Sequence, residues 1–207
     1  MKQTDVNKKK IVTNMKEKAC NCLKDKILNC EYLPGQSISE KQIANLLKTG
    51  RTPVREALIM LQKEGLVDIF PRSDTRAKTI TLEDTIQLYQ LRKLIEPAAV
   101  IEYKNQIDSM KLLEYDKIFR DSCLDSGYES NIVFYKQDIA FHTFLIDSAR
   151  NAWLSKIFGE IMQHTYRLGI FSTIQSHHNT KLETCKEHHD IIQSVLMEDV
   201  ARIERAF

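Results

Sequence analysis

Apolar residues recur at helical spacing along most of this 207-residue chain, in periods separated by short polar or Gly- and Pro-containing breaks. The first 30 residues place spaced apolar positions among lysines, which predicts an amphipathic helix. The segment Leu33-Pro34-Gly35 then interrupts the period, because proline and glycine disfavour a continuing helix. From residue 81 onward the period is helical almost throughout. The chain is therefore expected to be mostly α.

Two short helices and a β-hairpin are predicted between residues 39 and 80. Ser39 and Gln42 have the spacing of a helix capping box, and a tight turn that ends at Gly50 leads into the second helix. Gly65 is a natural stop for that helix. The β-prone runs 66–70 and 76–80 flank a polar turn, which predicts a small hairpin. Two helices, a tight turn and a hairpin are the architecture of a winged helix-turn-helix.

The second half predicts a set of helices that begins at Thr81, a helix N-cap. A long period runs to about residue 106, and further helices are expected at 109–124, 130–149, 151–175 and 179–207. The change of pattern places a domain boundary near residue 80. We therefore expect a DNA-binding domain at 1–80 and an all-helical domain at 81–207.

Charge separates the two halves. Residues 1–80 carry a net charge of +7 and residues 81–207 a net charge of −5, which together give the net +2 of the whole chain. A basic half followed by an acidic half indicates that only the first half meets a polyanion. Solvated charged faces are the ordinary alternative.

The composition also suggests a compartment. The five cysteines are odd in number and fit no zinc-finger spacing, so reduced thiols of a cytoplasmic protein are expected. No apolar run approaches the roughly 18 residues that a membrane span needs. The first residues lack the apolar core of a secretory signal. We therefore expect no membrane association.

Three polar side chains open the second short helix. Arg51, Thr52 and Arg55 cluster at its N-terminal end, where a recognition helix meets bases and phosphates in the major groove. An arginine fork can bond guanine O6 and N7 together, and a threonine can bond a phosphate. The alternative is that both arginines are solvated surface charges.

The segment LPGQSISEKQIANLLKTGRTPVREALIMLQKEGLV closely resembles the GntR family of bacterial transcription regulators, above all in its RTPVREAL core. The resemblance implies that Arg51, Thr52 and Arg55 read DNA and that Lys41 approaches the backbone. Two positions depart from the family pattern. Gly50 replaces a small hydroxyl residue, and Asp74 replaces the glycine of the wing tip.

The wing is therefore expected to contact DNA weakly. Asp74 tolerates a left-handed turn, but its negative charge disfavours an approach to the groove. The wing residues Arg72 and Arg76 are expected to offset that charge.

A carboxylate and an imidazole stand four residues apart in the second half. Asp138 and His142 project together from an apolar helix face, where a carboxylate is costly unless it is paired or metal-bound. The pattern leaves a structural hydrogen bond and a metal site open. His188 shares a helix face with Ile191 and Ile192, and is modestly favoured over His189 to point inward.

Residues 81–207 resemble the FadR-type branch of the same family, in TLED…LRKLIEP, D-x-x-x-H and EH-x-x-I. The resemblance implies an antiparallel bundle of six or seven helices that binds an effector and a divalent cation (Zn, Ni, Mn or Fe). The family ligands map to Asp138, His142 and His188. A fourth histidine would fall near position 210, so we expect either a chain clipped inside its last helix or an incomplete site.

Other polar residues are assigned lesser roles. Arg92 is a candidate anchor for a carboxylate effector, with a structural salt bridge to Glu96 as the alternative. His164, His177 and His178 match no ligand position, and Cys185 is expected to pack rather than to bind metal.

The sequence hypothesis is a homodimeric regulator, commonly a repressor in this family, that binds double-stranded operator DNA under control of a small carboxylate. It is not expected to be an enzyme. Two rivals remain, which are a metal-dependent enzyme that activates water at Asp138, His142 and His188, and a regulator without metal.

Overall fold

The computed structural model describes residues 2–71, 74–124, 127–175 and 181–207, with side chains from residue 15 onward. The chain divides into two compact units, Met1–Ile80 and Thr81–Phe207. The first holds α1 (Lys2–Leu28), α2 (Glu40–Leu46), α3 (Arg51–Lys63), β1 (Val67–Phe70) and β2 (Asp74–Ala77). No helix in the described ranges combines the length and the apolar character that crossing a bilayer requires.

The first unit is a winged helix-turn-helix, as predicted. Ser39 caps α2 by accepting a hydrogen bond from the backbone N–H of Gln42, and Gly65 follows α3 with a φ of 71°. The core is formed by the apolar faces of α1, α2, α3 and the hairpin. Its largest fully buried side chains are Leu23, Ile27, Ile43, Leu58, Leu61 and Leu66.

The second strand of the wing begins earlier than the sequence predicted. β2 runs from Asp74 to Ala77 and pairs antiparallel with β1, so that Phe70 faces Asp74. The prediction that this strand starts at residue 76, with Asp74 in a turn, is therefore wrong. The reason is tertiary: the backbone N–H of Ile38 donates to the carbonyl of Thr75 at 2.7 Å, and that of Gly35 donates to the carbonyl of Ala77. These bonds hold residues 75–77 extended from their other side.

The second unit is all helical in the described residues. Its helices are α4 (Leu82–Tyr103), α5 (Ser109–Ser122), α6 (Tyr128–Asp147), α7 (Ala152–Gln175), α8 (Lys181–Leu196) and α9 (Val200–Ala206), with a 3-10 turn at Lys104–Gln106. Thr81 and Asp84 form a reciprocal capping box at the start of α4.

The last predicted helix is in fact two helices. The prediction of one helix over 179–207 is wrong, because the backbone of Glu198 is left-handed (φ 55°) and Asp199 caps α9 by accepting from the N–H of Arg202. A short polar side chain that bonds the local backbone favours a cap over a helix interior. The break turns α9 back, so that it contacts both α8 and α4.

Candidate functional site

The N-terminal end of α3 presents polar side chains to solvent. Arg51, Thr52 and Arg55 are all exposed, whereas Val54 and Leu58 are buried in the core of the first unit. Gly50 caps α3 without a side-chain hydrogen bond, so no capping side chain takes up the first backbone N–H groups. A helix N-terminus of this kind favours an anion such as a phosphate.

Few internal contacts restrain these arginines. Arg55 lies 3.6 Å from the carboxylate of Glu40 on α2, and its side chain is still 63% exposed. Lys41, also on α2, is exposed. The basic groups are therefore available to a partner of the first unit.

The wing carries its acid in a paired state. The Nε atom of Arg76 donates to the carboxylate of Asp74 at 2.9 Å, within β2. Arg72 lies outside the described residues. The pairing means that Arg76 neutralises Asp74 and has less charge to offer elsewhere.

A buried polar cluster lies among three helices of the second unit. α6 contributes Asp138 and His142, α8 contributes His188, and α4 contributes Arg92 and Glu96. Nε2 of His188 lies 2.9 Å from Oδ1 of Asp138, and Nε2 of His142 lies 3.2 Å from Nε2 of His188. Nε2 of His142 lies 3.7 Å from the same Asp138 oxygen. The tertiary structure thus brings together the three predicted ligands and the predicted anchor.

Glu96 is a member of this cluster that the sequence analysis treated only as a salt-bridge partner. Its carboxylate is 1% exposed and accepts a hydrogen bond from Nδ1 of His142. The sequence does hint at a buried Glu96, because it is an acid within the apolar run LIEPAAV. Its partner His142, however, lies 46 positions away, where no local pattern links the two.

The bond to Glu96 decides the protonation of the His142 ring. A carboxylate can only accept, so Nδ1 carries the proton and donates it. Arg92 places Nη2 3.0 Å from Nε2 of His142, and a guanidinium can only donate. Nε2 therefore carries a lone pair that faces the centre of the cluster.

Arg92 bonds both members of this pair. Its Nε donates to Glu96 at 2.5 Å while its Nη2 reaches His142. Burial alone would lower the pKa of Arg92, but the charges of Glu96 and Asp138 raise it above its ordinary value. The sequence offered two alternatives for Arg92, a salt bridge with Glu96 or a role as an effector anchor. In the structure the salt bridge is present, and Arg92 also lies at the cluster where an anchor would be needed.

The two buried carboxylates remain ionised. Burial opposes ionisation of Asp138, yet the hydrogen bond from His188 and the guanidinium of Arg92 hold its pKa far below the ordinary value. Burial likewise opposes ionisation of Glu96, and its bonds with His142 and Arg92 lower its pKa. Burial lowers the pKa of His188 below its ordinary value, with Asp138 opposing that shift. The cluster therefore holds fixed negative charge beside imidazole nitrogen.

The three predicted ligands fit a divalent cation. Their donor atoms lie within 4.8 Å of one another, and all three residues are buried. Metal–nitrogen distances of about 2.0–2.1 Å put tetrahedral ligands about 3.4 Å apart, close to the separations of 2.9, 3.2 and 3.7 Å found here. Glu96 also supplies the carboxylate that typically orients a metal-binding histidine. Nε2 of His188 donates to Asp138 here, so binding a metal through Nε2 would require the ring proton to move to Nδ1, which is buried with no hydrogen-bond partner among the described residues.

A cavity of about 700 Å³ adjoins the cluster. Its lining includes all five cluster residues. It also includes two further basic side chains (Lys93, Arg205), three further acidic ones (Glu183, Glu187, Asp190) and hydroxyl side chains such as Thr165 and Ser172. A polar cavity of this size can hold a small metabolite.

Other candidate residues lie outside the cluster. Sγ of Cys185 donates to the carbonyl of Phe119 at 3.3 Å, and burial raises the pKa of this thiol to about 12, which disfavours metal binding through a thiolate. His189 bonds Asp116 at 2.7 Å instead of facing the cluster. His164 is not a member of the cluster, and His177 and His178 lie outside the described residues.

Two family models match the chain. The model described as bacterial regulatory proteins, gntR family, matches residues 16–76. The model of the FCD domain matches residues 87–207, which is more than half of the chain.

Curated relatives are transcriptional regulators. The HTH-type regulator YdhC of Bacillus subtilis (strain 168) is 26% identical over 178 residues, a region covering 84% of this chain and 78% of that protein. The Nta operon transcriptional regulator of Aminobacter aminovorans is 30% identical over 128 residues, covering 60% and 59%. The HTH-type transcriptional repressor RspR of Escherichia coli (strain K12) is 26% identical over 133 residues, covering 63% and 58%. The match thus spans less than two thirds of the second and third relatives.

Solved structures share the fold. McbR/YncC of E. coli superposes with a TM-score of 0.74 at 16% identity, covering 93% of this chain and 91% of that one. A GntR transcriptional regulator from Rhodococcus sp. RHA1 gives the same TM-score at 20% identity, covering 92% and 90%. At these identities the likeness concerns the fold alone.

Proposed function

Because this chain belongs to the GntR family of bacterial regulatory proteins and carries an FCD domain, we propose that it is a homodimeric, metal-containing repressor that a small carboxylate controls. Its role as a transcriptional regulator with these two domains is the premise. The operator contacts, the dimer, the metal and the effector are the proposal. The curated relatives are regulators and not enzymes, which argues against the reading as a metal-dependent enzyme.

The observation that carries the proposal is the exposed N-terminal end of α3. Arg51 and Arg55 supply the forks that recognise guanine edges, and Thr52 together with the uncapped helix start suits a phosphate. Lys41 of α2 adds a cation for the DNA backbone. Arg76 and Arg72 would contribute from the wing, and Asp74 weakens that contribution by pairing with Arg76.

Exposed apolar side chains on two neighbouring helices support a homodimer. α4 and α7 pack together through Ala99, Phe158 and Met162. Outside that packing, Leu94 of α4 and Trp153 of α7 are 73% and 74% exposed. Large apolar side chains this exposed are typical of an interface. A two-fold dimer would match two operator half-sites.

The buried cluster supports a metal. Asp138, His142 and His188 would hold the ion, and Glu96 would orient His142. The ion would supply a positive charge to an anionic ligand at the edge of the cavity. A set of nitrogen and oxygen donors is compatible with Zn, Ni, Mn or Fe. A metal-free regulator with the same pairs in a structural role is the alternative.

The adjoining cavity supports control by an effector. Arg92, Lys93 and Arg205 of its lining could pair with a carboxylate, against the acids Glu183, Glu187 and Asp190 that also line it. Such a ligand would shift the dimer between operator-competent and incompetent arrangements. Repression is proposed by analogy with RspR, which is named a transcriptional repressor.

The experiment measures binding of the purified chain to a labelled DNA fragment from upstream of its own gene, by fluorescence anisotropy at several salt concentrations. Arg51→Ala and Arg55→Ala should each cost about 1–3 kcal/mol of specific binding. Lys63→Ala, at the opposite end of α3, is the matched control because it removes an exposed cation from the same helix. Equal affinities of all three variants and the parent would refute the assignment of α3.

A further inference from the structure

The guanidinium of Arg92 occupies the lone pair that a metal ion would need. With Nδ1 of His142 donating to Glu96, Nε2 holds the only lone pair of the neutral ring. Nη2 of Arg92 lies 3.0 Å from that atom. A ring nitrogen with one lone pair cannot accept from Arg92 and bind a metal at the same time.

We propose that Arg92 is a tethered competitor of the metal at His142, and that metal binding releases it to hold the anionic effector. The proposal rests on the metal site put forward under Proposed function and adds the coupling between that site and the cavity. Metal and carboxylate would consequently bind with positive cooperativity, because each makes the other's contact available.

The tether is the bond to Glu96. Nε of Arg92 donates to one carboxylate oxygen of Glu96, and His142 bonds the other. If Arg92 loses its contact with His142, the bond from Nε still holds the guanidinium on Glu96. The Nη groups are then open to another acceptor. The side chain is 12% exposed and lines the cavity, so the acceptor can come from there.

The charges around the site also favour binding of the metal before the anion. In the cluster, Asp138 and Glu96 exceed Arg92 by one negative charge. Among the other residues that line the cavity, Glu183, Glu187 and Asp190 exceed Lys93 and Arg205 by one more. This charge attracts a divalent cation and repels an anion. A bound divalent cation offsets this charge, so that a carboxylate is no longer repelled and can meet both the ion and the guanidinium.

The first test compares Zn²⁺ affinities of the full chain, stripped of metal and titrated in competition with a chromogenic chelator. Arg92→Lys keeps the charge but lacks the fork that reaches Glu96 and His142 together, and Arg92→Gln removes the charge as well. Both should bind Zn²⁺ about tenfold more tightly than the parent, which corresponds to the loss of one charge-assisted hydrogen bond.

Lys93→Gln is the matched control, since Lys93 is the next residue on α4, is exposed and also lines the cavity. It removes a nearby charge without touching His142 and should change the affinity less than twofold. If Lys93→Gln matched Arg92→Gln and Arg92→Lys had no effect, long-range charge would explain the result and competition would be refuted.

The second test uses acetate as the anion probe, observed by saturation-transfer NMR. Acetate should bind the Zn²⁺-loaded parent more tightly than the metal-free parent, and Arg92→Gln should lose most of that gain. An undiminished gain in Arg92→Gln would overturn the role of the guanidinium.

The two levels of the hypothesis fail differently. If Zn²⁺ binds the parent and both Arg92 variants with equal affinity, the metal site stands and the competition is refuted. If Zn²⁺ binds none of them, the proposed metal site fails and the inference falls with it. Thermal melts of each variant confirm that the compared proteins are folded.

Discussion

Nδ1 of His142 hydrogen-bonds to the carboxylate of Glu96, which joins α6 to α4 across 46 positions of sequence. The bond fixes the tautomer of the ring and turns Nε2 toward Asp138 and His188. Both partners are almost fully buried, at 3% and 1% exposed side-chain area, so solvent does not weaken the pair. Glu96 thus orients His142 in the way that a carboxylate orients a metal-binding histidine, and would do so without touching the proposed ion itself.

Replacing Glu96 should weaken metal binding. Glu96→Gln removes the negative charge that holds Nδ1–H of His142, and we expect the Zn²⁺ affinity to fall about 10- to 100-fold. Chelator competition measures the change. Glu83→Gln, an exposed position of the same helix, is the control and should leave the affinity unaltered. A Glu96→Gln protein that bound Zn²⁺ like the parent would show that orientation by Glu96 is dispensable.

Asp74→Asn should strengthen operator binding. The change removes a negative charge from the wing and frees Arg76 from its 2.9 Å pairing. The dependence of log K on log salt should steepen by about one unit, as for one added phosphate contact. Asp68 of β1 lies 3.5 Å from Lys78 in the same hairpin. The salt dependence of operator binding by Asp68→Asn is the comparison for removal of one acid from the hairpin at another position. Weaker binding by Asp74→Asn would mean that the acid itself assists the complex.

Two glycines of α7 should respond oppositely to alanine. A Cβ at Gly169 would lie 2.5 Å from the ring of Tyr135, so Gly169→Ala should lower the free energy of unfolding by about 1–3 kcal/mol. At Gly159 an added Cβ would have no neighbour within 4 Å among the described residues outside its own stretch of helix backbone. Gly159→Ala should therefore raise the free energy of unfolding by up to about 1 kcal/mol through helix propensity. Urea unfolding measures both. Equal effects would contradict the close approach of α6 and α7.

A charge on the exposed face of α4 should dissociate the proposed dimer. Leu94→Glu places a carboxylate where a 73% exposed leucine stands, and we expect the dimer Kd to rise about tenfold or more. Sedimentation velocity over a concentration series measures the shift. Leu124→Glu, which alters an 80% exposed leucine beyond the end of α5, tests for a general effect of added charge. A dimer unaffected by Leu94→Glu would have to use another surface.

The sequence by itself determined what depends on neighbours along the chain. The mostly helical class, the two short helices and the hairpin follow from apolar periods, caps and breakers, and all were found. The placement of Asp138 and His142 on one helix face was also local, because residues four apart lie together. The hydrogen bond considered between them is not formed, since their nearest atoms lie 3.7 Å apart while Asp138 bonds His188 and His142 bonds Glu96. The exposure of Arg51 and Arg55 followed from the burial of the opposite face.

Only the tertiary structure decided the relations between distant segments. β2 begins at Asp74 because residues 35–38 hydrogen-bond to its outer edge. The helical conformation is interrupted at Glu198, after which α9 packs against α4. Glu96 and Arg92 reach His142 through helix packing, which no periodicity along one helix records. Local patterns fix backbone conformation and the inward face, whereas the partner on that face depends on how whole helices pack against each other.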